Sequence, residues 1–391
     1  MRLIPGILVG TLLIGCAGDG TSPVSAPPPP TEAPSTSALA RLTTIDLTRL
    51  DDYTRALPGY YLTPNVTRLD NASGRPITDA GATLGRVLFF DRHLSINDRI
   101  ACADCHVASL GFSDTARFSV GHDGASRTAA HSMRLGNARW YDGAGFFWDR
   151  RAPTLEAQAL EPIQHPVEMG FDAAHGGLVA LSAKLDTLPY YADLFTFVYG
   201  DATITSERIG AALAQYVRSI TSTGSRWDAG YATTWDVALP DAGLSRPLPT
   251  LTAEENRGWQ LFLLPPGQGG AGCAGCHVPP TFSLAANSRS NGLDAGETTI
   301  FKSPSLKNVA AAGGYMHDGR FATLEQVVAF YDTGIQAGPA LDQRLRRPDG
   351  QPVRLGLSAA DRAALVAFLG TLTESAPAGD SRFTSPFRED S

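Results

Sequence analysis

Two short stretches hold the densest chemistry in the chain: "CADCH" at residues 102–106 and "CAGCH" at 273–277. In each, two cysteines stand three apart and a histidine follows the second. Positions i, i+3 and i+4 of a helical turn share a face, so two sulfurs and an imidazole would project together. Three chemistries use such a set. Zinc ribbons pair two CxxC hooks across about 15–20 residues, whereas Cys105 and Cys273 lie far apart. A thioredoxin-like redox pair belongs in a βαβ setting, and no such pattern flanks either motif. Covalent haem attachment uses both cysteines as thioethers and the histidine as an iron ligand. A histidine in the fifth position of both copies favours that reading: two c-type haems, held by Cys102, Cys105 and His106 and by Cys273, Cys276 and His277.

The fifth cysteine, Cys16, ends an apolar run that opens with Met1-Arg2 and closes on "LIGC". The run is short and broken by Gly and Pro, so it reads as an export signal rather than a span. A small residue before the cysteine resembles a bacterial lipobox, with residues 1–15 removed and Cys16 lipidated. The alternative is an ordinary signal peptide with an incidental cysteine. Next comes "SPVSAPPPPTEAPSTS", too polar and Pro-rich to build a core; residues 16–42 are expected to be a tether. Export favours haem over zinc as well, and places the protein in the periplasm, lipid-anchored to a bacterial membrane, the outer one by expectation.

The elements that must position the two motifs read as helices. "TSERIGAALAQYVRSI" spaces Ile209, Leu213, Val217 and Ile220 helically. Thr252 with Glu255, and Thr323 with Gln326, have capping-box spacing ahead of apolar runs. "LSAADRAALVAFLGTL" predicts a last helix burying Leu365, Phe368 and Leu372. Strand signals are few. At 391 residues, 43% hydrophobic and 18% charged, the chain has room for two domains. Its formal charge of −7 carries no basic excess for nucleic acid and favours, weakly, a positively charged protein partner. The Pro/Gly-rich stretch 236–249 suggests the boundary. The expected fold is mainly α, two cytochrome c-like haem domains with long loops, 43–235 and 236–380, and a tail, 381–391, whose Phe383 and Phe387 could dock back. With both irons fully ligated, such a protein only transfers electrons; an open iron allows catalysis.

Between and after the motifs run "FSVGHDG", "NARWYDGAGFFWDRRAPTLEAQALEPIQHPVEMG", "FKSPSLKNVA" and "GYMHDGRFATLEQVVAFYDTG". Here the sequence resembles the bacterial di-haem cytochrome c peroxidases, including their MauG-like branch, in order along nearly all of the mature chain. The resemblance implies that Trp148 relays electrons between the haems. It places Gln158 and Glu168 on the distal side of the peroxide-reacting haem, at Cys102/Cys105. A sheltered carboxyl suits general acid–base work there, and burial would raise its pKa. Pro162 is expected to end the helix begun near Thr154 and turn Gln158 and Glu168 towards one pocket.

His122 matches a removable sixth ligand of the first haem in peroxidases that rest inactive; the alternative is a solvent-facing loop histidine. His131 is a second candidate, and stands where the family often has an asparagine binding an inter-haem calcium. That departure speaks against calcium, although the carbonyls of Ala312 and Gly314 remain as donors. His93, His165 and His175 carry no assigned role. For the second haem, the family's peroxidases use a methionine where this chain has Tyr331, and MauG-like proteins a tyrosine; Met316 is the alternative ligand. The implied activity is reduction of hydrogen peroxide with electrons from a small cytochrome c or cupredoxin. The alternatives are MauG-like oxidation of residues in a partner protein and pure electron transfer. A homodimer is compatible with all three.

Overall fold

The computed structural model describes residues 37–311, 313–374 and 380–388. The export signal, Cys16, most of the tether and Ala312 lie outside the described residues. Polar N-caps and helical apolar spacing produce a mainly α structure. In chain order the helices are α1 (Ala38–Leu42), α2 (Pro64–Thr67), α3 (Asp79–Phe90), α4 (Cys102–Cys105), α5 (Leu155–Gln164), α6 (Gly177–Asp186), α7 (Pro189–Tyr199), α8 (Ser206–Ser219), α9 (Arg226–Thr234), α10 (Ala253–Leu263), α11 (Leu324–Ala329) and α12 (Ala359–Gly370). Among the described residues, sheet is confined to β1 (His277–Val278) paired antiparallel with β2 (Ser283–Leu284) and to isolated bridges. No described helix is long and apolar enough to cross a membrane.

The chain uses one motif twice. Before each CxxCH a helix packs on a later one, α3 on α8 and α10 on α12, and a glycine lets the backbones meet. A Cβ at Gly85 would stand 2.0 Å from the Ala212 carbonyl oxygen, and one at Gly258 1.9 Å from that of Ala364. After each CxxCH a phenylalanine takes a left-handed conformation, Phe112 at φ 59° and Phe282 at φ 51°. Each closes a short antiparallel turn, Val107 on Ser113 and Val278 on Ser283. Asn137 and Asn308 follow at φ 58° and 60°, a conformation asparagine tolerates better than most residues. Each side-chain carbonyl accepts a backbone N–H at 2.8 Å, from Ser222 and Glu374 respectively. A last bridged turn, Phe146 on Ala152 and Tyr315 on Phe321, leads into α5 and α11, N-capped by Thr154 and Thr323.

Each copy surrounds its own apolar core. Leu84, Val87, Leu88, Phe89, Ile209, Leu213 and Tyr216 belong to the first, and Trp259, Phe262, Phe282, Leu365, Phe368 and Leu372 to the second. The helices expected around Ile209 and Leu365 are present, and all the apolar residues named for them are buried. The second core draws on residues from both sides of 236. Trp227 and Tyr231 of α9 pack in the second core, as do Tyr60, Tyr61, Val66 and Trp140 from far upstream. Leu244 and Leu248, inside the supposed linker, join them, and Trp259 Nε1 donates to the Leu244 carbonyl at 2.9 Å. Aromatic burial outweighed the loop composition of 236–249. The C-terminal tail docks on the first core through Phe383 and Phe387, with Phe387 bridged to Thr43.

Candidate active site

At the first CxxCH, the Asp104 carboxylate accepts from the Ala101 N–H at 2.8 Å and starts α4. Ser132 Oγ donates to the Cys105 carbonyl at 2.6 Å and lies 3.1 Å from His106 Nδ1, which also faces the Phe112 carbonyl at 3.1 Å. Nδ1–H is thereby engaged and Nε2 is left with its lone pair. Burial lowers the pKa of His106, keeping the ring neutral. None of the four cysteines of the two motifs is paired in a disulfide. Burial pushes Cys102 and Cys273 up to about 12, which disfavours a reactive thiolate pair. No group of three His, Cys, Asp or Glu among the described residues could hold a zinc ion.

Facing these thiols is the segment after α5. Pro162 does not end that helix: it sits in the last turn, and α5 runs on to Gln164 with His165 as C-cap. A proline there forgoes one i→i−4 hydrogen bond; the helix nevertheless continues two residues further and stops before Pro166. The His165 carbonyl accepts from Met169 and Gly170, while its Nδ1 accepts from the Val167 and Glu168 N–H groups at 3.3 Å. This tight turn presents Glu168, whose Oε1 lies 3.8 Å from His165 Nδ1. Burial raises the Glu168 pKa, against the lowering pull of His165 and Arg151. Its charge is felt at Cys102 and Cys105, where it raises both thiol pKa values. Gln158 is half-buried on α5. His122 docks on the same turn: its N–H donates to the Val167 and Glu168 carbonyls, and Nε2 donates to the Pro166 carbonyl at 3.1 Å.

At the second CxxCH, a cavity of about 440 Å³ is lined by Cys273, Cys276, His277, Met316, Tyr331 and mainly apolar side chains. His277 Nδ1 is directed at the Phe282 carbonyl without reaching good hydrogen-bond geometry, and burial lowers its pKa to about 4. Opposite, α11 passes into a π-helical turn, Phe330–Gly334, that carries Tyr331. Such turns frequently mark functional positions. Asn291 Nδ2 donates to Tyr331 Oη at 3.2 Å and lies 3.5 Å from Met316 Sδ. Both sequence-derived ligand candidates thus converge on one amide.

Between the sites, Trp148 Nε1 donates to the His131 carbonyl at 2.7 Å. Its ring lies 6.5 Å from that of His317, which stacks on Phe301 at 3.9 Å. The repeat crosses over here. His131 N–H donates to the His317 carbonyl at 2.9 Å, and Lys302 N–H to the Trp148 carbonyl at 2.7 Å.

The model of the di-haem cytochrome c peroxidase family matches residues 79–234. The methylamine utilization protein MauG of Methylorubrum extorquens is 33% identical over 312 residues, 76% of this chain and 79% of the relative. This chain belongs to the MauG-like di-haem cytochrome c peroxidase family. The cytochrome c551 peroxidase of Nitrosomonas europaea is 30% identical over 270 residues, 63% of this chain and 71% of that protein. Among solved structures, a MauG-like protein associated with microbial copper homeostasis superposes with a TM-score of 0.63 at 27% identity, covering 80% of this chain and 95% of that one. The diheme peroxidase BthA of Burkholderia thailandensis shares the fold, with a TM-score of 0.59, 22% identity, and coverage of 87% and 92%.

As a member of this family the chain is a di-haem oxidoreductase, and its residues fit two c-type haems. Each motif presents two half-buried cysteines and a neutral imidazole, and the second opens on a large apolar cavity. Calcium does not fit. The His131 ring fills the space beside Gly314, where a Cβ would fall 2.4 Å from it. Its Nδ1 faces the Ala116 and Arg117 carbonyls at 3.0 and 3.2 Å, and Nε2 the Ser113 hydroxyl at 3.3 Å. Both nitrogens are used, so His131 is not a spare ligand for the first haem either. Three residues were missed in the sequence: His165, which shapes the Glu168 turn, Asn291, and Ser132. Only His165, three residues before Glu168, left a signal in its spacing.

Proposed function

We propose that the protein reduces hydrogen peroxide to water at the Cys102/Cys105 haem, with electrons arriving through the Cys273/Cys276 haem and Trp148. The overall reaction joins H₂O₂ with two electrons and two protons to give two waters. A small cytochrome c or cupredoxin is the proposed donor. The observation that carries this reading is Glu168: a carboxyl of raised pKa, beside the two thiols and held by its own turn. When bound, the haem supplies the redox chemistry that breaks an O–O bond. Glu168 takes a proton from one peroxide oxygen and returns it to the other as that oxygen leaves. Gln158 orients the peroxide. The segment 165–170 screens the site from water, and Trp148 couples the two centres.

In this reading His122 stays on the Pro166 carbonyl and leaves the first iron open, while Tyr331, steadied by Asn291, ligates the second. Oxidation of a partner protein's residues is the second reading, favoured by Tyr331 and by the likeness to MauG. Two cytochrome c-like domains and lipid anchoring in the periplasm through Cys16 complete the proposal. Steady-state oxidation of reduced cytochrome c by peroxide tests it, on the diferric enzyme and after partial reduction. No turnover in either state sinks it; turnover lost in Glu168→Gln supports it. Electron paramagnetic resonance of the diferric protein should show one high-spin haem.

A further inference from the structure

Lys302 is the counterpart of His131 in the repeat: each stands six residues before its left-handed asparagine, and each crosses to the other copy through its N–H. Lys302 is only 5% exposed. Among the described residues no carboxylate lies within ion-pair distance of it. Its Nζ meets the Met133 thioether at 3.9 Å and the faces of Tyr141 and Phe146 at 4.6 and 5.9 Å. A second cation stands beside it. Arg150 Nη2 donates to the Ser288 carbonyl at 3.0 Å, and its buried Nε has no acceptor. Burial pushes the Lys302 amine down to about 8, and the Arg150 charge pushes in the same direction. Arg150 also holds φ at 61°, where the second copy has Gly319 at 65°. An arginine is therefore kept at a position glycine would fill with less strain.

A buried amine beside a half-buried guanidinium, with no carboxylate paired to either, is unfavourable unless a negative group is supplied. Their place indicates its source. Lys302 bonds the Trp148 backbone, Phe146 belongs to the first core, and Met133 follows the Ser132 that contacts His106. His131 lines the second haem cavity; by the same repeat, Lys302 holds the corresponding position in the other copy. A haem held by thioethers and a histidine still has two carboxylates to place. We propose that Lys302 and Arg150 form a buried carboxylate-binding site at the edge of the first haem site, with the haem's own propionate or a small free carboxylate as its occupant. The proposal rests on haem attachment at Cys102/Cys105.

The test is a redox titration of the holoprotein, followed optically and by paramagnetic resonance, for wild type, Lys302→Met, Lys302→Arg and Arg150→Gln. A haemochrome assay first counts haems per chain, and fewer than two in wild type would refute the attachment reading instead. Losing a cation paired beside the first haem favours its ferric state. Lys302→Met should shift its ferric/ferrous equilibrium about tenfold, a fall of about 59 mV for one electron, while the second haem moves far less and Lys302→Arg stays near wild type. Arg150→Gln, on an exposed-edge turn, gives the same sign if Lys302→Met does not fold. A wild-type midpoint that ignores added acetate assigns the site to the haem propionate; one that moves with acetate, and no longer does so in Lys302→Met, assigns it to a free carboxylate. Unchanged midpoints in the variants that fold with two haems overturn the proposal.

Discussion

Counted from the N-caps Thr154 and Thr323, the two copies of the repeat place different chemistry on the same frame. Four residues on, the first copy has Gln158 and the second Val327; eight on, Pro162 and Tyr331. Val327 and Tyr331 both line the second haem cavity. By the repeat, Gln158 and Pro162 hold the corresponding positions in the first copy. Proline has no atom to offer a metal, so the position that gives the second haem a ligand candidate gives the first none. The first copy then adds the turn that carries Glu168. On the proposed function, one helix start thus serves a closed, electron-accepting centre in one copy and an open, proton-handling one in the other.

The largest break in this contrast should come from Glu168→Gln. Loss of a general acid–base costs about 10²–10⁴-fold, read by stopped flow as the rate of the peroxide reaction, with the second haem's spectrum unchanged. Because burial raises the Glu168 pKa, the base form is lost on acidification at a higher pH than for a free glutamate, near 4.3. The wild-type rate should therefore fall as pH drops through that raised value, and the inflection should vanish in the variant. Linkage gives an independent sign. A carboxyl with raised folded pKa stabilises the fold only at low pH and opposes it once ionised. Glu168→Gln should therefore melt no lower than wild type at pH 7.

Tyr331→Met should act on the other side alone. Exchanging a phenolate for a thioether raises the potential of the second haem, and the first haem's reaction with peroxide should persist. Asn291→Ala is the milder form, removing one hydrogen bond to the phenolate oxygen, about 1.5–3 kcal/mol, and should shift the second haem's spectrum without replacing its ligand. A change at the first haem in either variant would contradict the division of roles.

How much of this was legible beforehand follows the range of the forces involved. Local signals were readable: the CxxCH spacing, the caps at Thr252 and Thr323, and the stripes in α8 and α12. What escaped depends on contacts far apart in the chain. Phe112 and Phe282 hold a left-handed backbone that their residue type disfavours, so the repeated turn leaves no mark in propensity. Tyr331 continues the apolar spacing of Leu324 and Val328, yet it sits in a π-helical turn that no sequence pattern marks. Trp227 and Tyr231 precede the Pro/Gly-rich stretch but belong to the core beyond it. Asn291 comes from a loop with no periodicity, and only folding sets it beside Tyr331.

The glycines test whether the copies are mechanically equivalent. Gly85→Ala and Gly258→Ala each drive a methyl into a backbone carbonyl of the packed helix, which cannot swing away like a side-chain tip. Each should cost about 1–3 kcal/mol by overpacking, measured by urea unfolding of the holoprotein. Gly85→Ala should disturb the first haem's spectrum and Gly258→Ala the second's.

The smallest effect is expected from removing calcium. The His131 ring is buried, with one nitrogen on backbone carbonyls and the other on Ser113, and it packs against Gly314 where a bound ion would need room. The imidazole bonds within the segment after the first CxxCH, and the His131 backbone N–H ties that segment to the His317 carbonyl directly rather than through a cation. Dialysis against a calcium chelator should leave both haem spectra and the peroxide rate unchanged, and metal analysis should find no stoichiometric calcium. His131→Asn shortens the side chain and frees the Ala116 and Arg117 carbonyls, so any calcium dependence should emerge only in that variant. A wild-type enzyme that loses activity with the chelator and regains it with calcium would show that the ring moves aside for the ion, and that the two copies are coupled through a metal after all.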